Sequence, residues 1–188
     1  MSNSTVVPLD FKKNRDESLA EYFRRLDQYF EHENSANIVG RKKPRFSEVE
    51  GDWPTFWAKS QAWDHDFFMR KMQAFKHALN AISLVHPELD AINIKYEGSG
   101  DDGQVEDVEF YDRKGKVINI SSDDLIYKHV SEAGWWITQD VSPGFHNNEG
   151  GQGEIDINKD HDDLGQWKCT CDHENNVITT EKHEVEMF

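Results

Sequence analysis

Residues 91–110 decide the fold: Ala91-Ile92-Asn93-Ile94-Lys95-Tyr96-Glu97-Gly98-Ser99-Gly100-Asp101-Asp102-Gly103-Gln104-Val105-Glu106-Asp107-Val108-Glu109-Phe110. From Ala91 to Glu97 apolar and polar residues alternate, which is the period of a strand with one buried and one open face. Gly98 to Gly103 reads as a turn, its glycines supplying positive φ. Gln104 to Phe110 reads as the returning strand. Val105 and Val108 break strict alternation, and that slip predicts a β-bulge.

Upstream the period is helical. Leu19, Tyr22, Phe23, Leu26 and Phe30 form one stripe between Arg15 and Glu33. Residues 34–51, with Gly40, Pro44 and Gly51, read as a loop. A second helix is expected from Asp52-Trp53-Pro54, where Asp accepts first-turn amide protons and Pro is tolerated. Phe56, Trp57, Ser60, Trp63, Phe67, Phe68, Met72, Phe75, Leu79 and Ile82 follow one face of it. Its expected length is about 28 residues, or ~42 Å, ending before Pro87. The aromatic stripe is read as a core face.

Downstream, Lys116–Ile120 is strand-like, and Asp123–Val130 suits a short helix stopped by Gly134. Trp135-Trp136 is read on a strand, one ring in and one out, followed by a loop over 138–153. Glu154–Asn158, Gln166–His173 and Val177–Phe188 are three further expected strands. The predicted fold class is α+β: two N-terminal helices on a mostly antiparallel sheet of five or six strands with one inserted helix. Residues 1–13 are read as a flexible arm. Residues 14–188 form a single domain, helical over 14–88 and an acidic sheet over 89–188.

The 188 residues carry 36 acids against 21 Lys and Arg, a net charge of −15. Residues 1–100 hold 15 acids and 14 bases, whereas 101–188 hold 21 and 7. Phosphate backbones repel such a surface, so direct nucleic-acid binding by the second half is not expected. The one basic cluster, Arg41, Lys42, Lys43 and Arg45, reads as a solvated loop. No apolar run approaches a membrane span, and no cationic stretch precedes an apolar run at the N-terminus. With only two cysteines the expected location is the reducing cytoplasm.

Two segments together, Tyr96–Gln104 and Gly144–Ile157, resemble an uncharacterised family of small bacterial and phage-borne domains of unknown function. That family pairs a glycine-rich acidic hairpin with a later Asn-Asn-Glu-Gly loop. His183-Glu184 near the end is similar to its terminal His-Glu pair. The resemblance covers roughly residues 75–188 and implies fold boundaries and a phage or defence context, but no activity.

Catalytic signatures are missing: no G-x-S-x-G elbow, no H-E-x-x-H, no cysteine in a helix-start context. Two glycine-rich loops offer Glu97, Asp101, Asn148, Glu149 and Glu154 as oxygen ligands for a divalent cation, an optional cofactor in a metal-dependent enzyme reading. Cys169, Cys171 and His173 would share a strand face, but a lone C-x-C-x-H lacks the second pair of a zinc site and is read as core. The leading expectation is an acidic, non-enzymatic interaction module for a protein with a basic, nucleic-acid-handling surface. Its contact residues would be Asp101, Asp102, Glu106, Glu109, Trp135 and Trp136. A structural subunit using the aromatic helix as its interface is the third reading.

Overall fold

The structure is a computed structural model and describes residues 10–34, 43–49, 51–145, 150–162 and 166–176. Three helices cover one face of a five-stranded sheet. The order is α1 (Leu19–Asn34), a 3-10 turn (Phe46–Glu48), α2 (Trp53–Val85), β1 (Leu89–Ser99), β2 (Asp102–Asp112), β3 (Val117–Ile118), α3 (Leu125–Val141), β4 (Gly151–Asp160) and β5 (Gln166–Asn175). In the sheet the strands run β3-β2-β1-β4-β5, every neighbouring pair antiparallel. The fold is therefore α+β, as the change of period predicts.

Each helix starts where side chains take up its free amide protons. Ser18 and Glu21 form a reciprocal box: the Ser18 amide donates to Glu21 Oε2 (2.8 Å) and the Glu21 amide to Ser18 Oγ (3.2 Å). This moves the start of α1 four residues past the expected Arg15. Asp52 accepts from the Thr55 amide at 3.1 Å, with Pro54 in the first turn. Asp124 accepts from the Ile126 amide at 2.8 Å. The second helix extends to 33 residues. Its C-terminal part is buried through Ala74, Phe75, Ala78, Leu79 and Ile82, while Trp53 and Trp57 at its start stand exposed.

Alternation along β1 sends Ile92, Ile94 and Tyr96 into the core, joined by Val108 and Phe110 of β2 and Ile155 and Ile157 of β4. The predicted bulge is present: Lys95 pairs with Asp107 and Tyr96 with Val105, leaving Glu106 as the extra residue. Between Ser99 and Asp102 the turn consists of Gly100 (φ 59°) and Asp101 (φ 72°). Two successive positive φ angles match the right-handed strand twist. Gly98 and Gly103 instead pair as ordinary strand residues, so the turn needs fewer left-handed positions than its glycine count suggests.

Two expectations fail for one reason. Gly134 does not stop the third helix, and Trp135 and Trp136 lie on that helix rather than on a strand. A Cβ on Gly134 would come within 2.8 Å of Ile94 Cγ2. The glycine marks the point where α3 crosses β1 too closely for a side chain. Glycine's helix penalty of ~1 kcal/mol is accepted for that contact. Phe11, inside the expected flexible arm, is buried against Phe30 (ring centroids 6.0 Å), and Tyr22 Oη donates to its carbonyl at 2.8 Å. The boundary of the packed domain therefore reaches at least to Phe11. The expected strand over 177–188 lies outside the described residues.

Candidate functional site

Because side chains alternate, the strands that bury Ile92, Ile94, Ile155 and Ile157 present their other residues on the opposite face. The third helix packs on β1, β2 and β5, and α1 and α2 pack on it in turn. All described helices therefore lie on the core side. The second face carries Asn93, Lys95 and Glu97 from β1, and Glu106 and Glu109 from β2. From β4 come Gln152, Glu154 and Asp156, and from β5 Asp172 and Glu174. Among the described residues, seven carboxylates share this central area with one ammonium group, Lys95. At its margin Lys168 pairs with Asp160 at 2.9 Å.

The register brings like charges together. Glu154 stands directly across from Asp172 on one side and from Lys95 on the other, and the row Glu97-Gln152-Glu174 holds two acids around one amide. Directly opposed like charges destabilise a sheet. Two groups relieve this partly. Lys95 Nζ donates to Glu109 Oε2 at 3.1 Å, holding the Glu109 carboxyl below its ordinary range and the Lys95 ammonium above its own. Asn93 Nδ2 donates to Glu154 Oε2 (3.2 Å) and Asp156 Oδ1 (2.9 Å). A shallow hollow of about 530 Å³ lies over the centre, lined by Lys95, Glu97, Glu106, Glu154, Asp172 and Glu174 among others.

The expected contact residues divide. Glu106 and Glu109 lie on this face. Asp101 and Asp102 are exposed at the tip of the β1–β2 hairpin, at one end of it. Trp135 and Trp136 do not join them, because both lie in the helical layer on the other side of the sheet. Trp135 packs edge-on against Phe145 (5.4 Å), and Trp136 Nε1 donates to Glu132 at 3.1 Å. Both line a hollow of about 700 Å³ with Gln61, Phe68 and Gln139. Of the candidate cation ligands, Glu97 and Glu154 share the open face and Asp101 sits in the turn. Asn148 and Glu149 lie outside the described residues. Sequence reasoning assigned no role to Asp156, Asp172 and Glu174. Their signal was the alternation of β4 and β5.

The two glycine-rich segments do converge, since Gly98 pairs with Gly151 across β1 and β4. What they converge on is a packed cluster. Tyr96 Oη lies 2.9 Å from His173 Nδ1 and 3.6 Å from Cys171 Sγ, and the two rings stack at 5.9 Å. Burial and the Cys171 contact push the Tyr96 hydroxyl's pKa upward. A Cβ on Gly153 would lie 2.5 Å from Tyr96 Oη, and one on Gly151 2.5 Å from His173 Cε1. A Cβ on Gly150, whose φ is 76°, would overlap the Gly98 carbonyl. These glycines make room for the Tyr96–His173 pair and for close strand approach. Cys169, Cys171 and His173 do share one strand face, on the helical side of the sheet, but the cysteines are not buried core as expected: Cys169 is exposed and Cys171 half-buried, because β5 is the last strand in the order of the sheet.

No protein-family model, curated protein or solved structure matches the chain. Among the described residues no helix is long and apolar enough to cross a membrane.

Proposed function

We propose that the chain is an acidic, non-enzymatic interaction module whose open sheet face docks on a basic surface of a protein partner, of the kind that handles nucleic acid. The observation that carries this reading is the pairing of Glu154 with Asp172 inside a field of seven carboxylates and one lysine. Solubility alone is met by mixed, dispersed charge. Acids aligned across paired strands cost stability unless a cationic surface offsets them, which favours a partner whose Lys or Arg residues interleave with the rows. Strands lie about 4.8 Å apart and side chains on one face recur about every 6.8 Å, so the acids form a regular anionic grid. A grid of that kind competes with a phosphate backbone for the same basic groove, the mode of action of a phage or defence-related inhibitor.

The test is salt-dependent capture. The immobilised chain is challenged with a purified basic nucleic-acid-binding protein, with and without competing duplex DNA, between 0.05 and 1 M salt (roughly 14 to 3 Å of screening length). The expected result is binding that weakens with salt and is lost in a Glu97→Gln, Glu154→Gln, Asp172→Asn triple variant. Retention that is indifferent to salt, or unchanged in the triple variant, refutes the reading.

A further inference from the structure

A second polar cluster lies in the helical layer, on the far side of the sheet from the acidic face. Asp27 of α1 and His129 and Glu132 of α3 bring one donor atom each within 4.8 Å of one another. His129 and Glu132 are three residues apart, so they lie one turn apart on one helical face. His129 Nδ1 is 3.9 Å from Asp27 Oδ1. The imidazole stacks on Phe23, with ring centroids 4.5 Å apart. Lys71 Nζ (2.7 Å) and Trp136 Nε1 (3.1 Å) both donate to Glu132 Oε1. Beside the cluster is a hollow of about 380 Å³ lined by Asp27, Glu31, Lys71, Glu132 and Trp136 among others.

We propose that Asp27, His129 and Glu132 form a Zn²⁺ site that ties α1 to α3. Two carboxylates and one imidazole on rigid helices are a nitrogen- and oxygen-donor set of the kind zinc accepts, with water as fourth ligand. Donors about 2.0–2.1 Å from a tetrahedral ion stand roughly 3.4 Å apart. The cluster therefore closes by about an ångström through rotation of the two carboxylate side chains. Phe23 fixes the imidazole plane, and Trp136 and Lys71 orient Glu132 from outside, as supporting groups orient metal ligands elsewhere. Lys71 is the competing cation. Its ammonium lies 4.4 Å from the Trp136 ring centroid while it bonds Glu132, so its positive charge competes with a metal ion for that carboxylate.

The test is calorimetric titration of the whole chain with Zn²⁺ alone, together with thermal unfolding. The expected result is one bound ion per chain and a rise in Tm, with affinity at least about tenfold weaker in Asp27→Asn, His129→Gln and Glu132→Gln. Lys71→Gln is expected to bind more tightly than wild type, an outcome that a folding defect cannot imitate. Circular dichroism confirms that each variant is folded. Cys171→Ser binds Zn²⁺ like wild type, which separates this site from the β5 thiols. No binding by wild type at millimolar Zn²⁺, or binding unchanged in His129→Gln and Glu132→Gln, overturns the proposal. It stands apart from the acidic-face reading, whose three substitutions leave this cluster intact.

Discussion

Replacing Gly153 by alanine tests the packing beneath the acidic face. The added Cβ would lie 2.5 Å from Tyr96 Oη and 2.8 Å from Tyr96 Cζ, and it would also overlap the Asp172 carbonyl oxygen. The tyrosine ring is buried and the carbonyl belongs to a paired strand, so neither moves aside cheaply. Overpacking costs about 1–3 kcal/mol, and contacts this close put the substitution at the upper end, a fall in Tm of roughly 6–12 °C for a chain of this size. Gly100 provides the control. A Cβ there meets nothing within 4 Å and only the φ of +59° is unfavourable, at about 1–2 kcal/mol. Urea unfolding should rank Gly153→Ala well below Gly100→Ala, with unchanged slopes. Tyr96→Phe should cost less in the Gly153→Ala background than alone, because there the hydroxyl is an obstruction as well as a partner of His173. A Gly153→Ala protein within about 1 kcal/mol of wild type, or more stable than Gly100→Ala, refutes the assignment of this glycine to ring accommodation.

Removing charge on the open face should have the opposite sign. Asp172→Asn relieves the repulsion from Glu154 and should raise stability by a few tenths of a kcal/mol, read as a higher urea midpoint, while weakening capture of the basic protein. Trp167→Phe breaks the Nε1 hydrogen bond to Asn80 Oδ1 (3.2 Å) that ties β5 to α2. It should cost about 1 kcal/mol and speed amide exchange in β5. Glu17 bonds Arg25 through both carboxylate oxygens (2.9 and 3.1 Å), and Arg25 also donates to the carbonyls of Asp10 and Lys12. The Arg25 hydrogen bond holds the Glu17 carboxyl below its ordinary value. Its contribution is therefore present above the unfolded pKa and lost as pH falls through the lower folded one. Glu17→Gln should flatten the acid limb of a stability-against-pH curve, and wild type and variant with parallel acid limbs would contradict this.

Much of the architecture was legible because it depends on local patterns. The cap at Asp52, the alternation from Ala91 to Glu97 and the bulge betrayed by Val105 and Val108 each reflect forces acting within a few residues. The third helix was misread because Gly134 answers to Ile94, forty positions away, and no local signal separates a helix-ending glycine from one that allows a close crossing. Phe11 was missed for the same reason, since its burial depends on Phe30 and Tyr22. The acidic face was visible as a charge imbalance, but which acids share it follows from the strand order β3-β2-β1-β4-β5. That order puts β4, not β2 alone, beside β1. For Asp27, His129 and Glu132 the only local trace was the three-residue step on α3. Asp27 reaches them through the packing of α1.

The alternation in β1 and β4 also separates two kinds of tolerance to change. Substituting Ile94 or Ile155 alters the hydrophobic layer and threatens folding, whereas Glu97 or Glu154, only a few positions away, can be exchanged with little structural penalty. A lineage can thus redraw its outward chemistry residue by residue while its scaffold stays put.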